Sequence, residues 1–373
     1  MHLKKIIPLT LTCIMGITTT VSAKEIHAFI GTYTPGASKG IYSVTLDLDT
    51  GRLGPVSLAA EATDPSFLAL SPNLKSLYAI NESGGRLRAF AIEQGHALRP
   101  LNDLPTDAGY PADLGVDPSG RIVIGAIYGG GAVVGFPLLK DGSLGSRSTL
   151  VKHSGKSVNA ARQEAPHAHG VTFSPDGRFV VIPDLGIDQV RVYEIDASKP
   201  EIRPAPKDHL AIQPGSGPRH AAFSRDGKFL YVINELFSTI TVASFNAKKG
   251  ALTTQQTVST LPSGYGGEST TAEIAIHPNG RFVYGSNRGH DSIAQFGRDR
   301  KTGRLTLLDI TSTGGKTPRN FAITPDGRWL VAANQDSDSL VVFKIDGKTG
   351  GLTAVGSPVS VPRPVCVRFM SYP

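Results

Sequence analysis

A tight turn recurs six times along this chain at nearly even spacing, and few architectures are compatible with that pattern. The turn reads Ser71-Pro72-Asn73-Leu74, Asp117-Pro118-Ser119-Gly120, Ser174-Pro175-Asp176-Gly177, Ser224-Arg225-Asp226-Gly227, His277-Pro278-Asn279-Gly280 and Thr324-Pro325-Asp326-Gly327. Successive starts lie 46, 57, 50, 53 and 47 residues apart. Proline presets φ at the first corner, while Asn or Asp followed by Gly supplies left-handed positions, so a strand must end before each turn and another begin after it. The flanks agree. Gly170-Val171-Thr172-Phe173 and Phe321-Ala322-Ile323 precede turns as small or apolar runs suited to a strand buried on both faces. Leu230-Tyr231-Val232-Ile233 and Phe282-Val283-Tyr284-Gly285 follow them. A third strand such as Leu340-Val341-Val342-Phe343 comes next, then a Gly-x-Leu turn such as Gly250-Ala251-Leu252 or Gly303-Arg304-Leu305.

Four strands in about fifty residues make one propeller blade. Six turns predict six complete blades. Ile26-His27-Ala28-Phe29-Ile30-Gly31 looks like a second strand without its first, and Val365-Cys366-Val367-Arg368-Phe369 like a first strand without its successors. Joined in one sheet they make a seventh blade and remove the open edge of the ring. The expected fold is therefore all-β: a seven-bladed β-propeller with four antiparallel strands per blade, closed by N- and C-terminal strands sharing one blade.

Composition fits that fold and narrows the rest. With 42 glycines and 26 prolines in 373 residues, long helices are excluded. Lys4 and Lys5 precede an apolar stretch that ends in Val21-Ser22-Ala23, which reads as a secretory signal over 1–23, leaving 24–373 as the propeller domain and a periplasmic or secreted location. Without Lys4 and Lys5 the formal charge falls from +7 to +5, and of the two cysteines only Cys366 remains, so no internal disulfide is possible. The basic residues are scattered, so no nucleic-acid stripe is expected, and no membrane contact once the signal is removed. A modestly positive surface suits a small anionic substrate. A monomer is expected.

Alignment on the turns gives a register for the opposite face of the ring. Entering the first strand, equivalent positions hold Ser66, Ala112, His169, Arg219, Ala272 and Arg319. Leaving the second strand, a ring of Asn81, Asp184, Asn234, Asn287 and Asn334 is explained by local backbone bonding at strand ends. The next position holds Glu82, Tyr128, Leu185, Glu235, Arg288 or Gln335. His169, Arg219, Glu235 and Arg288 break the repeat in three successive blades and should converge at one mouth. Bringing two arginines together there is unfavourable without an anionic ligand, which points to function, although Arg219 and Glu235 could be a stabilising ion pair and His169 a structural strut.

These residues resemble those of the seven-bladed lactonase family, which includes propeller-type 6-phosphogluconolactonase and carboxy-muconate cyclase. The resemblance is carried by Phe29-Ile30-Gly31-Thr32-Tyr33-Thr34, Arg162-Gln163-Glu164 before Pro166-His167-Ala168-His169, Pro183-Asp184-Leu185-Gly186, Pro214-Gly215-Ser216-Gly217-Pro218-Arg219-His220, Asn234-Glu235-Leu236, Ala272-Glu273-Ile274 and Ser286-Asn287-Arg288-Gly289-His290-Asp291-Ser292. It implies a carbohydrate-metabolising hydrolase that opens a sugar lactone, with or without a phosphate, by a His/Arg/Glu/Arg group at His169, Arg219, Glu235 and Arg288. His167, His220, Asn287, Arg319 and Glu273 are the expected substrate contacts. Glu235 is favoured as base and His169 as acid, with the exchange of those roles left open. No cofactor is expected, and no metal site, since the histidines carry neither helical spacing nor an acidic cluster. A lactonising cyclase, or a periplasmic propeller that binds without reacting, are the competing readings.

Overall fold

In the computed structural model, residues 24–196 and 198–370 are described; the expected signal at 1–23 lies outside them. They form seven four-stranded antiparallel sheets. Blade 1 is Pro364–Phe369, Glu25–Thr32, Gly40–Asp47 and Ser57–Glu61, so the last strand lies innermost and pairs with the first, Phe29 opposite Arg368 and Ala28 opposite Phe369. Blades 2 to 7 start at Leu68–Leu70, Pro111–Val116, Thr172–Phe173, Pro218–Phe223, Thr270–Ile276 and Pro318–Ile323 and follow chain order. The repeated turns close as expected. In blade 5, Gly227 takes φ +65° and donates to the Ser224 carbonyl at 2.8 Å, while Ser224 Oγ donates to Asp226 at 2.6 Å.

Packing between blades has its own repeating device. The glycine of four Gly-x-Leu turns sits against an aromatic ring of the preceding blade: Gly51 on Trp329, Gly250 on Phe179, Gly303 on Phe229 and Gly350 on Phe282; at Gly142 the neighbour is Ser76. A Cβ on Gly250 would lie 2.4 Å from the Phe179 ring, so no larger residue fits. Tyrosines of the second strands tie the same turns from the other side; Tyr231 donates to the Gly303 carbonyl at 2.8 Å and Tyr284 to that of Gly350 at 2.9 Å. The second strands of blades 2, 3, 4, 5 and 7 are buried at every residue, which puts the core between blades.

The Asn and Asp residues at the ends of the second strands are struts. Asn287 is fully buried, donates to the Thr260 carbonyl and Ser292, and accepts from Thr260 Oγ1 at 2.6 Å. Its expected contact with substrate is therefore corrected: both ends of its amide are consumed by the blade. Asn234 likewise donates to Thr239 and Thr241.

Candidate active site

On the face opposite the Pro-Asp-Gly turns, a cavity of about 390 Å³ opens at the axis. Every blade reaches it: Tyr33 from blade 1, Glu82 from blade 2, Tyr110 and Tyr128 from blade 3, Arg162 and His169 ahead of the inner strand of blade 4, Glu235 from blade 5, Arg288 from blade 6 and Arg319 from blade 7.

Glu235 is the hub of its basic side. Its carboxylate accepts from Arg162 at 2.7 Å, Arg219 at 3.1 Å and Arg288 at 3.0 Å, and its side chain is only 5% exposed. Burial alone would raise its pKa, but Arg288, Arg219 and Arg162 outweigh it and hold the carboxyl down at about 2. Arg219 lies behind this carboxylate and not on the cavity wall, donating also to the Ala272 carbonyl at 2.7 Å. Burial, then Arg319 and Arg288, push its pKa down to about 9, which leaves it charged at neutral pH. Expected in the reacting group, Arg219 instead pairs with Glu235 and does not line the cavity.

Local structure explains these placements. Asp188, at φ +51°, accepts from Ser157, from Gln163 and from the backbone amides of Gly215 and Gly217, binding the loop that carries Arg162 to the one that delivers Arg219. Asp184 accepts from the amides of His167 and Gly186 and meets His153 at 2.6 Å, which fixes the approach to His169. His169 is buried, edge-on to Tyr128 at 5.6 Å and to His220 at 5.3 Å, and its Nδ1 has no partner. Burial first, and then the charges of Arg219, His220 and Arg319, hold its pKa well below the usual imidazole range. It is neutral at pH 7, which runs against the acid role expected for it.

Arg319, an expected substrate contact, lines the cavity half-buried with its guanidinium 5.4 Å from the centre of the Tyr33 ring. Among the described residues it makes no hydrogen bond or ion pair. Three other expected contacts lie elsewhere. His167 stacks on the outer side of Tyr128 at 4.3 Å and meets Glu164 at 3.1 Å. His220 and Glu273 form a 3.1 Å pair deeper in the axial channel, with Asn320 donating to the same carboxylate. None of these lines the cavity; each is consumed by packing or pairing outside it.

The quartet His169, Arg219, Glu235 and Arg288 is thus brought together at one mouth, while Glu82, Tyr128, Tyr33 and Arg162 are additions. Glu82 and Tyr128 occupy the same register column as Glu235 and Arg288, so that column held the signal. Arg162 lies in an irregular loop before blade 4, where the repeat assigns no position. Among the described residues no group of three or more His, Cys, Asp or Glu side chains is arranged to hold a metal ion.

The seven-bladed β-propeller lactonase family matches over residues 27–369. This chain belongs to that family. A 6-phosphogluconolactonase of Bacillus subtilis is 38% identical to this lactonase-family chain over 345 residues, covering 92% of the chain and 97% of the relative. The solved structure of a periplasmic gluconolactonase from Pseudomonas aeruginosa superposes with a TM-score of 0.87 at 31% identity, covering 94% of this chain and all of that one. A protein from Lactobacillus plantarum matches equally well, with a TM-score of 0.87 at 32% identity over 93% of this chain and 100% of its own.

Proposed function

We propose that this family member hydrolyses a sugar lactone bearing an anionic group or anionic oxygens to its open-chain acid. The observation that carries the reading is Arg319, a guanidinium on the cavity wall that no carboxylate among the described residues reaches within ion-pair distance, beside Arg162 and Arg288. Guanidinium groups supply paired, permanently charged donors that match a carboxylate, a phosphate or the oxyanion formed when water adds to a carbonyl. The names carried by the Bacillus relative and the Pseudomonas neighbour point the same way, one towards a phosphorylated sugar lactone and the other towards gluconolactone itself.

In this reading Arg288 and Arg162 face the substrate while Glu235 aims them, its three ion pairs favouring orientation over proton abstraction. Arg219 supports Glu235 from behind. His169, held neutral, hydrogen-bonds substrate oxygen and does not act as an imidazolium acid. Tyr110 and Tyr128 offer rings to the apolar face of the sugar. The chain acts as a monomer, without nucleic-acid or membrane partners and without a metal. It works after export, in line with the basic and apolar start of the sequence; among the described residues no helix is long and apolar enough to cross a membrane.

The test is proton release at fixed pH from gluconolactone with and without a 6-phosphate, using purified protein checked for a cooperative melt. Enzyme-dependent opening of either lactone above the spontaneous rate is the expected result. Folded protein that leaves both at the spontaneous rate removes this reading in favour of a binding propeller.

A further inference from the structure

Three carboxylates line the cavity: Asp64, whose oxygens accept from Thr34 and Ser83, and Glu82 and Glu235, which reach it from nearly opposite sides of the ring and are held in different ways. Glu235 of blade 5 is enclosed by three guanidiniums. Glu82 of blade 2 forms no ion pair among the described residues. Its Oε2 accepts from the Tyr33 hydroxyl at 2.9 Å and from Ser66 Oγ at 2.5 Å, while Oε1 has no partner and is not sealed from solvent. Glu82 is half-buried on the cavity wall. Its backbone is tied down too: its amide donates to the Asp64 carbonyl at 3.2 Å, and the neighbouring Ser83 Oγ donates to the Asp64 carboxylate at 2.5 Å. Tyr33 is fixed in turn, with the guanidiniums of Arg319 and Arg363 each 5.4 Å from its ring centre. One oxygen is therefore locked by neutral hydroxyl donors and the other is presented to whatever fills the cavity.

We infer that Glu82, and not Glu235, is the general base that activates the hydrolytic water. The inference rests on the lactone-hydrolase reading. Paired cations weaken a carboxylate as a base, and Glu235 has three within 3.1 Å, whereas Glu82 feels only the charge of Arg319 from beyond ion-pair distance. Water bound to Oε1 attacks the lactone carbonyl carbon as Glu82 takes its proton, and the carbonyl π pair moves onto oxygen beside the guanidiniums. The tetrahedral intermediate collapses by breaking the bond from carbonyl carbon to ring oxygen. Glu82 returns the proton to that leaving oxygen, and the acid product ionises, releasing one proton to solvent. No separate acid is required, consistent with the neutral state of His169.

The experiment uses full-length protein and a lactone that the wild type opens. Glu82→Gln retains an oxygen that can accept from Tyr33 and Ser66. Its kcat should fall at least about 100-fold with KM within about threefold, the usual size of a lost acid–base contribution. Hydroxylamine needs no deprotonation to attack, so enzyme-dependent hydroxamate formation should fall less than about tenfold in the same variant. Glu82→Asp, which keeps the charge but withdraws the carboxylate, should lose kcat and keep KM, and it serves if the glutamine variant melts early. The inference is overturned by a glutamine variant with kcat within about fivefold of wild type, or by hydrolysis and hydroxamate formation falling together. A wild type inert towards every lactone removes the reaction and the base with it, whereas an active wild type with an unimpaired Glu82→Gln removes the base alone.

Discussion

Replacing Glu235 by glutamine leaves three guanidiniums, drawn together at 2.7, 3.1 and 3.0 Å from one carboxylate, facing one another across a neutral amide. The size of the effect can be worked in two ways. Holding the carboxyl at about 2 in place of its ordinary 4.5 corresponds to about 3 kcal/mol net, the pull of the cations less the opposing cost of burial. Removing one partner from a buried ion pair costs roughly 3–5 kcal/mol by general experience. With an unfolding entropy of roughly 2.1 cal/mol/K per residue, 3 kcal/mol over residues 24–370 lowers Tm by about 4 °C at pH 7. The pH dependence has a definite sign. A carboxylate whose folded pKa is depressed contributes stability above its unfolded value, and that stability is lost as pH falls from about 4.5 towards 2. Thermal melts from pH 7 to pH 3 should therefore show the wild type converging on Glu235→Gln as the medium is acidified. A multivalent anion such as citrate should raise the Tm of the variant more than that of the wild type, because it replaces the missing counter-charge. A variant as stable as wild type at pH 7, with the same slope on the acid side, would refute the hub assignment.

Arg319→Ala should raise KM for a phosphorylated or carboxylated lactone by about 10-fold or more, and for a neutral one much less, since a charge-assisted hydrogen bond contributes roughly 1.5–3 kcal/mol; steady-state kinetics on a matched pair of lactones checks it. Asn287→Ala should cost about 1–3 kcal/mol in urea denaturation while kcat/KM stays within about twofold, because its amide serves Thr260 and Ser292 and not substrate. Asp113 is buried with Oδ1 unpartnered, and burial holds its pKa well above the usual carboxylate value, so the folded state binds its proton more tightly than the unfolded chain does. Its contribution to stability is lost as pH rises above about 4; Asp113→Asn should be at least as stable as wild type at pH 8, and a chemical melt showing it weaker there would contradict the assignment.

Turn chemistry made the ring readable, because Pro, Asn or Asp, and Gly are placed by backbone angles that the turns of blades 2 to 7 need. Closure was readable for a related reason: Ile26 to Gly31 and Val365 to Phe369 each have the pattern of one strand and lack the neighbours that complete a blade. The register also named which residues turn towards the axis. Depth along that axis was not legible. Arg219 and His220 are adjacent in sequence, yet one supports Glu235 and the other pairs with Glu273 lower in the channel. Depth is set by how strands tilt and bulge, as between Pro218 and His220, where the pairing register shifts. Partner number was equally hidden. A single glutamate in the column at Glu82 and another at Glu235 look alike until three arginines, one of them from an irregular loop, are found around the second.

Pairing Phe29 with Arg368 makes the first strand of the ring wait for the last. During synthesis, residues 25–32 have no inner neighbour until residues 364–369 arrive, and loop closure over that span is a slow, non-local event. The cavity inherits this timing. Tyr33 sits on one side of the seam and Arg319 on the other, so an incomplete chain holds neither a reduced version of the pocket nor a fraction of its chemistry. The pocket is complete only once the final strand is in place.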